Sequence, residues 1–138
     1  MPIQVLVVPR TFRAICYLCA FSCVAMGAFL IGFPQLVTRI AGPLHPAVYG
    51  VLRGCGGSIL PYGLLYVLVA LDPARRRWAM GVILLANVVA IVLDVASVML
   101  GEYTWAQAML DIPLEAVSAA AMLIALRAPW ARAAASPT

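Results

Sequence analysis

The sequence contains no lysine, and only 10% of its 138 residues are charged. About a quarter of the residues in a soluble domain are charged, so this composition excludes an ordinary water-soluble globule. It also excludes a nucleic-acid-binding protein and a disordered tail, both of which need far more charge. The nine basic residues are all arginine. In so apolar a chain they indicate membrane orientation rather than a nucleic-acid partner.

The chain also lacks the residue sets that hydrolysis or phosphoryl transfer requires. It has one histidine, His45, and neither a Ser/His/Asp set nor a glycine-rich phosphate loop. A single loop histidine does not form a metal-ligand cluster. We therefore expect no metal site and no catalytic residue, and we favour a protein that is not an enzyme.

Long apolar runs dominate the chain, which is 65% hydrophobic with a mean hydropathy of +1.05. Four runs are each long enough to cross the roughly 30 Å hydrocarbon core at 1.5 Å per residue. They lie at about 14–33, 47–70, 78–100 and 106–126. The runs are continuous rather than alternating, which favours helices over barrel strands. We predict an all-α, up-down four-helix membrane bundle that forms a single transmembrane domain over residues 1–138.

Arginine is concentrated on one side of the predicted spans. Seven arginines precede the first span, link the second to the third or follow the fourth: Arg10, Arg13, Arg75, Arg76, Arg77, Arg127 and Arg132. Arg39 is the only arginine in the predicted loops on the other side. The positive-inside rule then predicts that both termini are cytoplasmic.

Three of the four cysteines lie in the first span. Cys16 and Cys19 have the C-x-x-C spacing of a redox dithiol, but no lysine or histidine adjoins them to stabilise a thiolate. Cys19, Cys23 and Gly27 are four residues apart and form a stripe of small residues, which lets another helix approach closely. We favour helix packing as the role of this stripe, and a redox role remains the alternative.

Glycine is abundant in the second span. Gly50, Gly54 and Gly57 lie along one face around Arg53, and Pro61 is expected to kink the helix. We predict close helix packing at these glycines. The alternative is a flat ligand that occupies the gap opposite them.

The charges within the predicted spans are the most informative feature. A charged side chain near the bilayer centre costs roughly 2.5–3.5 kcal/mol, so it usually has a partner or a function. Arg53, Asp94, Asp111 and Glu115 each lie roughly 7–13 Å from the outer end of their span at 1.5 Å per residue. Asn87 lies almost in line with Asp94, two helical turns away. We predict one polar layer inside the bundle, in which Arg53 pairs with Asp94 or Glu115.

Two interpretations of this layer remain open. It is either a buried ion-pair network that fixes helix register, or a small polar pocket that binds a ligand or relays a proton. The candidate residues are Arg53, Asn87, Asp94, Asp111 and Glu115. The segment Asp111-Ile-Pro113 is also typical of a helix start, with Asp111 as the N-cap and 101–110 as an interfacial segment.

Short motifs mark the ends of the spans. They are Gly32-Phe33-Pro34, Leu52-Arg53-Gly54-x-Gly56-Gly57, an arginine-rich turn and Asp111-x-Pro113-x-Glu115. This layout resembles small bacterial membrane proteins of the DoxX-like type. The resemblance implies a four-helix protein of the bacterial inner membrane, and some such proteins accompany quinone-linked sulfur oxidation or redox-stress systems as accessory subunits. It places Arg53 and Glu115 in the shared polar layer.

The sequence thus predicts an accessory membrane protein that binds a ligand or a partner. The alternatives are an oligomeric transport or proton-relay component, and a quinone-linked redox accessory subunit. The expected partners are membrane lipids and a second copy of the chain or another membrane protein, with no nucleic acid. No cofactor is evident, and a quinone or a lipid is the candidate ligand.

Overall fold

The helices account for all the regular structure in residues 9–37, 46–102 and 104–128, which the computed structural model describes. They are α1 (Arg10–Gly32), α2 (Pro46–Leu71), α3 (Arg77–Met99), α4 (Trp105–Ala108) and α5 (Ile112–Arg127), with a 3₁₀ turn at Pro34–Val37. The all-α prediction is confirmed. Arg39, His45 and Arg132, used in the sequence argument, lie outside the described residues.

Helices α1, α2 and α3 are long and apolar enough to cross a membrane. Only 22%, 28% and 6% of their most hydrophobic segments are buried inside the protein. On α3, for example, Leu85, Val92 and Leu93 are exposed. Because a water-soluble monomer rarely leaves so much apolar surface open, these helices indicate a membrane protein.

The fourth predicted span, 106–126, is wrong as a single helix. Helix α4 ends at Ala108, and α5 begins at Ile112 with Pro113 in its first turn. Proline lacks a backbone N–H and is favoured in the first turn, so it marks a new helix start. The 16 residues of α5 span about 24 Å, less than the roughly 30 Å hydrocarbon core. The four-helix arrangement is therefore found only in part, with three long helices and one shorter one.

Local capping explains where α4 begins. The Thr104 hydroxyl accepts a hydrogen bond from the Gln107 backbone N–H at 3.3 Å, and Gln107 Oε1 accepts one from the Thr104 backbone N–H at 2.8 Å. This reciprocal pair is a capping box, which starts a helix at Thr104. Asp111 occupies the N-cap position of α5, as the alternative prediction had it, although its side chain makes no capping hydrogen bond.

The helices pack mainly as two pairs, α1 with α2 and α3 with α5. Both pairs contribute to one core, which includes Phe12, Cys16, Cys19, Tyr66, Val69, Ala70, Ala79, Met80, Ile83, Met122 and Ala125. These residues lie towards the end of the bundle that carries the turn 75–77, which we call the arginine end. The opposite end carries Asp94, Asp111 and Glu115, and we call it the carboxylate end.

Glycine lets α1 and α2 touch. A Cβ added at Gly56 would lie 2.7 Å from the Gly27 carbonyl oxygen, and one at Gly63 would lie 3.1 Å from the Ala20 carbonyl oxygen, with Cys23 Cβ in ordinary contact at 3.5 Å. Backbone contact this close has no room for a side chain. In the small-residue stripe of α1, Cys19 is buried and Cys23 packs against the core. Packing through Cys19, Cys23 and Gly27 is therefore observed.

No helix among the described residues packs on Gly50, Gly54 and Gly57, so their predicted packing role stays a prediction. A Cβ at any of the three would meet nothing within 4 Å. Two faces of α2 carry glycines at helical spacing, and the face with Gly56 meets α1. The other face, formed by Gly50, Arg53, Gly54 and Gly57, is exposed, and we call it the glycine face.

Candidate functional site

Three carboxyl groups gather between α3 and α5 at the carboxylate end. Asp94 lies on the C-terminal half of α3, Asp111 precedes α5, and Glu115 lies in the first turn of α5. Asp94 and Asp111 are close enough for their charges to act on Glu115. Like charges in apolar surroundings destabilise one another, so the group favours a proton, a cation or a hydrogen-bond donor. We call these three residues the carboxylate cluster.

One oxygen of Glu115 has no partner. Its Oε2 atom exposes less than 1 Å² and accepts no hydrogen bond from the described residues. A buried acceptor without a donor costs about 1–3 kcal/mol, and most buried polar atoms in native proteins are satisfied. The unsatisfied oxygen therefore indicates that the carboxylate cluster is incomplete within this part of the chain.

Arg53 does not complete the cluster. In residues 9–37, 46–102 and 104–128 its guanidinium forms no ion pair with Asp94 or Glu115, and it is not among the charges that act on either one. The predicted pairing is therefore absent. Helix α2 packs on α1 through Gly56 and shares the core with α3 and α5 only towards the arginine end. Arg53 is left exposed on the glycine face.

Asn87 belongs to a different polar group from the predicted one. Its Nδ2 donates hydrogen bonds to the Tyr66 hydroxyl at 3.0 Å, to Ser118 Oγ at 3.3 Å and to the Ile83 carbonyl at 2.7 Å. The Tyr66 and Ser118 hydroxyl oxygens lie 2.5 Å apart. Cys19 of α1 lies beside both hydroxyls. We call Tyr66, Asn87 and Ser118 the inter-helix network, because it joins α2, α3 and α5.

The carboxylate cluster and the inter-helix network share the faces of α3 and α5. Asp111, Glu115 and Ser118 are spaced four and three residues apart, so they follow one face of α5. Asp94 and Asn87 are two turns apart on α3. From Asp111 to Ser118 the polar groups run inward for roughly 10 Å at 1.5 Å per residue. The two groups therefore form one polar track that starts at the carboxylate end.

Apolar side chains close the inner end of this track. Met80, Ile83 and Met122 are fully buried, and Met122 follows Ser118 by one turn of α5. Within the inter-helix network, Ser118 and Tyr66 are both buried. The track therefore ends inside the bundle and does not cross it.

The cysteines offer no assembled redox site. All four are free, with Cys16 and Cys19 buried in the core and Cys55 exposed on α2. Within the described ranges, no three His, Cys, Asp or Glu side chains are arranged to hold a metal ion, and this includes the carboxylate cluster. The quinone-linked redox role stays a prediction.

An apolar groove opens on the surface between α1 and α2. Its lining includes Tyr17, Phe21, Val24, Leu60, Gly63 and Leu64. It lies at Gly63 and not at the glycine face, so the flat ligand opposite Gly50, Gly54 and Gly57 stays a prediction. Its apolar lining carries few polar atoms that would orient a ligand.

Tyr66 and Ser118 are the polar residues that sequence reasoning did not select. Ser118 is visible in the sequence because it continues the spacing of Asp111 and Glu115 along α5. Tyr66 has no such signal, since tyrosine in an apolar run is typical of ordinary packing. Only the packing of α2 against α3 and α5 brings its hydroxyl to Asn87.

No protein-family model, no curated protein and no solved structure matches this chain. The resemblance to DoxX-like proteins therefore stays a prediction. The fold and the site define the class, which is a small helical membrane protein with a carboxylate cluster between α3 and α5.

Proposed function

We propose that the chain is a small accessory protein of the bacterial inner membrane that binds a hydrogen-bond donor at its carboxylate cluster. The observation that carries this proposal is the buried, unsatisfied Oε2 of Glu115. Asp94 and Asp111 add negative charge nearby, so a positively charged donor is favoured over a neutral one. A ligand or a partner protein that supplies such a group satisfies Glu115 and reduces the repulsion at once.

The proposed orientation has cytoplasmic termini and the carboxylate cluster in the outer leaflet. It is supported by the described arginines at the arginine end, namely Arg10, Arg13, Arg75, Arg76, Arg77 and Arg127, because such residues mark the cytoplasmic side. Trp105 on α4 is exposed at the other end, where tryptophan is typical of the headgroup level. A ligand then reaches the cluster from the outer side of the membrane.

Native mass spectrometry of the chain, purified with its native lipids, tests this function. We expect wild type to retain a bound small molecule or a partner, and Glu115→Gln to lose it, because the amide removes the negative charge and keeps the shape. Glu102→Gln is the matched control, since Glu102 is an exposed carboxylate outside the cluster. Retention of the same bound species by Glu115→Gln would show that the proposed function is wrong.

A proton-relay component of an oligomer is a second candidate function. It is favoured by the 2.5 Å separation of the Tyr66 and Ser118 hydroxyls, one turn inside Glu115, because adjacent hydroxyls and carboxyls exchange protons readily. The apolar closure at Met122 means that the relay needs a second conformation or a partner to continue across the membrane.

Proton flux into proteoliposomes, followed with an internal pH-sensitive dye, tests the relay. We expect Glu115→Gln and Tyr66→Phe each to reduce the flux strongly, and Tyr62→Phe, whose residue is not a member of the inter-helix network, to leave it unchanged. A wild-type flux no greater than that of protein-free vesicles would exclude this candidate.

A further inference from the structure

We propose that the donor for the carboxylate cluster is Arg53 of a second copy of this chain. This inference rests on the proposed function and names the partner for the same site. Arg53 is the guanidinium of the described spans that lies at the level of the cluster, and it has no ion-pair partner among the residues that the structure describes. The assembly would therefore pair the glycine face of one copy with the carboxylate cluster of the next.

The glycine face is suited to such a contact. Nothing lies within 4 Å of a Cβ built at Gly50, Gly54 or Gly57, so the backbone of α2 is open there. Small residues allow a second helix to approach closely in a membrane. Arg53 lies among these glycines and is exposed. An unpaired guanidinium within a membrane span is unfavourable, and a carboxylate partner removes that cost.

The carboxylate cluster is suited to receive Arg53 of the second copy. It has three acidic side chains, one unsatisfied buried oxygen and no cation among the described residues that acts on Glu115. A guanidinium has five N–H donors in a planar fork that fits carboxylates, so one arginine can satisfy more than one of these groups. The two surfaces are complementary in charge and lie at the same level of the bundle.

A second copy satisfies both surfaces better than a lipid does. A lipid phosphate would pair with Arg53 but would add no donor to Glu115, and an anionic headgroup is repelled by the carboxylate cluster. Each copy carries one glycine face and one carboxylate cluster, so the contact closes as a two-fold dimer with two such pairs or as a ring. Among the described residues, the site has no donor for Glu115 Oε2 without the neighbouring copy.

The absence of lysine from the sequence provides a direct test. Arg53→Lys keeps the positive charge and introduces the one side-chain amine of the chain. In lipid nanodiscs, the membrane-permeant N,N′-dicyclohexylcarbodiimide activates carboxyl groups, and a contacting amine displaces the urea to form an amide bond. We expect a covalent dimer of about twice the 14.7 kDa chain mass, linked to Asp94, Asp111 or Glu115. Arg13→Lys, with its amine at the arginine end, and wild type are the controls and should give no such link.

Two results would overturn the proposal. One is an amide bond from the introduced amine to the cluster within a single chain, since Arg53 would then complete its own site. The other is no link to the cluster in Arg53→Lys under conditions that label Glu115 with the carbodiimide, which reports that the carboxyl groups are accessible. If the link is absent while Glu115→Gln still loses a bound species in native mass spectrometry, the proposed function stands and this inference fails.

A charge swap provides a second, independent measurement. Arg53→Asp and Asp94→Arg should each lower the dimer association constant at least about tenfold, since each leaves one partner of the pair unmatched. Mixing the two variants should restore a heterodimer, because the intact Arg53 of the Asp94→Arg chain meets the intact cluster of the other. Wild type that stays monomeric, or variants that dimerise as wild type does, would overturn the proposal.

Discussion

The two ends of the bundle are built differently. At the arginine end, the two helix pairs share a core in which Met80, Ile83 and Met122 are fully buried. At the carboxylate end, α2 packs on α1 and α5 packs on α3, Glu115 Oε2 lacks a donor, and Arg53 is exposed. Within the described residues the arginine end has a closed core, whereas the carboxylate end leaves a buried oxygen of Glu115 without a donor. Substitutions at the arginine end should therefore affect stability, and substitutions at the carboxylate end should affect binding.

The largest loss of stability is expected from Gly56→Ala. The new Cβ would lie 2.7 Å from the Gly27 carbonyl oxygen, and a backbone atom in a packed helix cannot move aside cheaply. Overpacking of this kind costs about 1–3 kcal/mol. The measurement is the free energy of unfolding in mixed micelles, followed by circular dichroism. Gly81→Ala is the control, since nothing lies within 4 Å of its Cβ, and an equal loss in both would contradict the α1–α2 contact.

A smaller loss is expected from Tyr66→Phe. The substitution removes the hydroxyl that accepts a hydrogen bond from Asn87 and contacts Ser118, and interhelical hydrogen bonds in membranes contribute about 0.6–1.7 kcal/mol. Tyr62→Phe, on the same helix and half-buried, should cost much less in the same unfolding assay. If the two variants are equally stable, the inter-helix network does not hold the helix pairs together.

A still smaller loss of stability is expected from Arg77→Ala. The Arg77 guanidinium donates to the carbonyl of Leu126 in the last turn of α5, so it links the start of α3 to the end of α5. A cation at a helix C-terminus contributes about 0.3–1 kcal/mol. Hydrogen exchange should become faster in the last turn of α5 and unchanged elsewhere. Arg76→Ala serves as the comparison, and an identical exchange pattern in both variants would exclude this role of Arg77.

The smallest change in stability is expected from Glu115→Gln. The substitution removes a negative charge that Asp94 and Asp111 repel. We therefore expect the free energy of unfolding to stay within about 0.5 kcal/mol of wild type, although binding is lost. This result separates the two interpretations of the polar layer. A loss as large as that of Tyr66→Phe would mean that Glu115 has a structural role, as an ion-pair network requires.

The three long helices were predictable because apolar length is a property of the sequence alone. The runs at 14–33, 47–70 and 78–100 correspond to α1, α2 and α3 within a few residues at each end. The fourth run fails because hydropathy does not register local capping. The run is divided at 109–111, where α4 ends and α5 begins with Pro113 in its first turn, and this helix start is readable in the sequence as Asp111-Ile-Pro113.

Helix rotation was not predictable for α2. Gly50, Gly54 and Gly57 have the same kind of spacing as Gly56 and Gly63, so the sequence offers two candidate packing faces. The choice depends on which face fits the surface of α1, and the contact of Gly56 with Gly27 decides it. The same rotation decides the side of α2 on which Arg53 lies, so its partner was not predictable from its position in the sequence.

The sequence predicts that the polar residues of α3 and α5 lie along one face of each helix. It does not predict which of them contact each other. Asn87 lies in line with Asp94, which suggested one shared layer, but its hydrogen bonds go to Tyr66 and Ser118 further inside. Periodicity places residues on one helix face. It does not determine the position along the helix axes at which residues of two helices meet. That position places Asn87 in the inter-helix network and Asp94 in the carboxylate cluster.

The central claim is that the carboxylate end is incomplete in a single chain. Its most direct test is the composition of the particles that native mass spectrometry detects when wild type and Glu115→Gln are released from native membranes. The account predicts that wild type carries a second chain or a bound molecule, and that Glu115→Gln appears mainly as the bare 14.7 kDa chain. A bare single chain as the principal species for wild type and Glu115→Gln alike would contradict it.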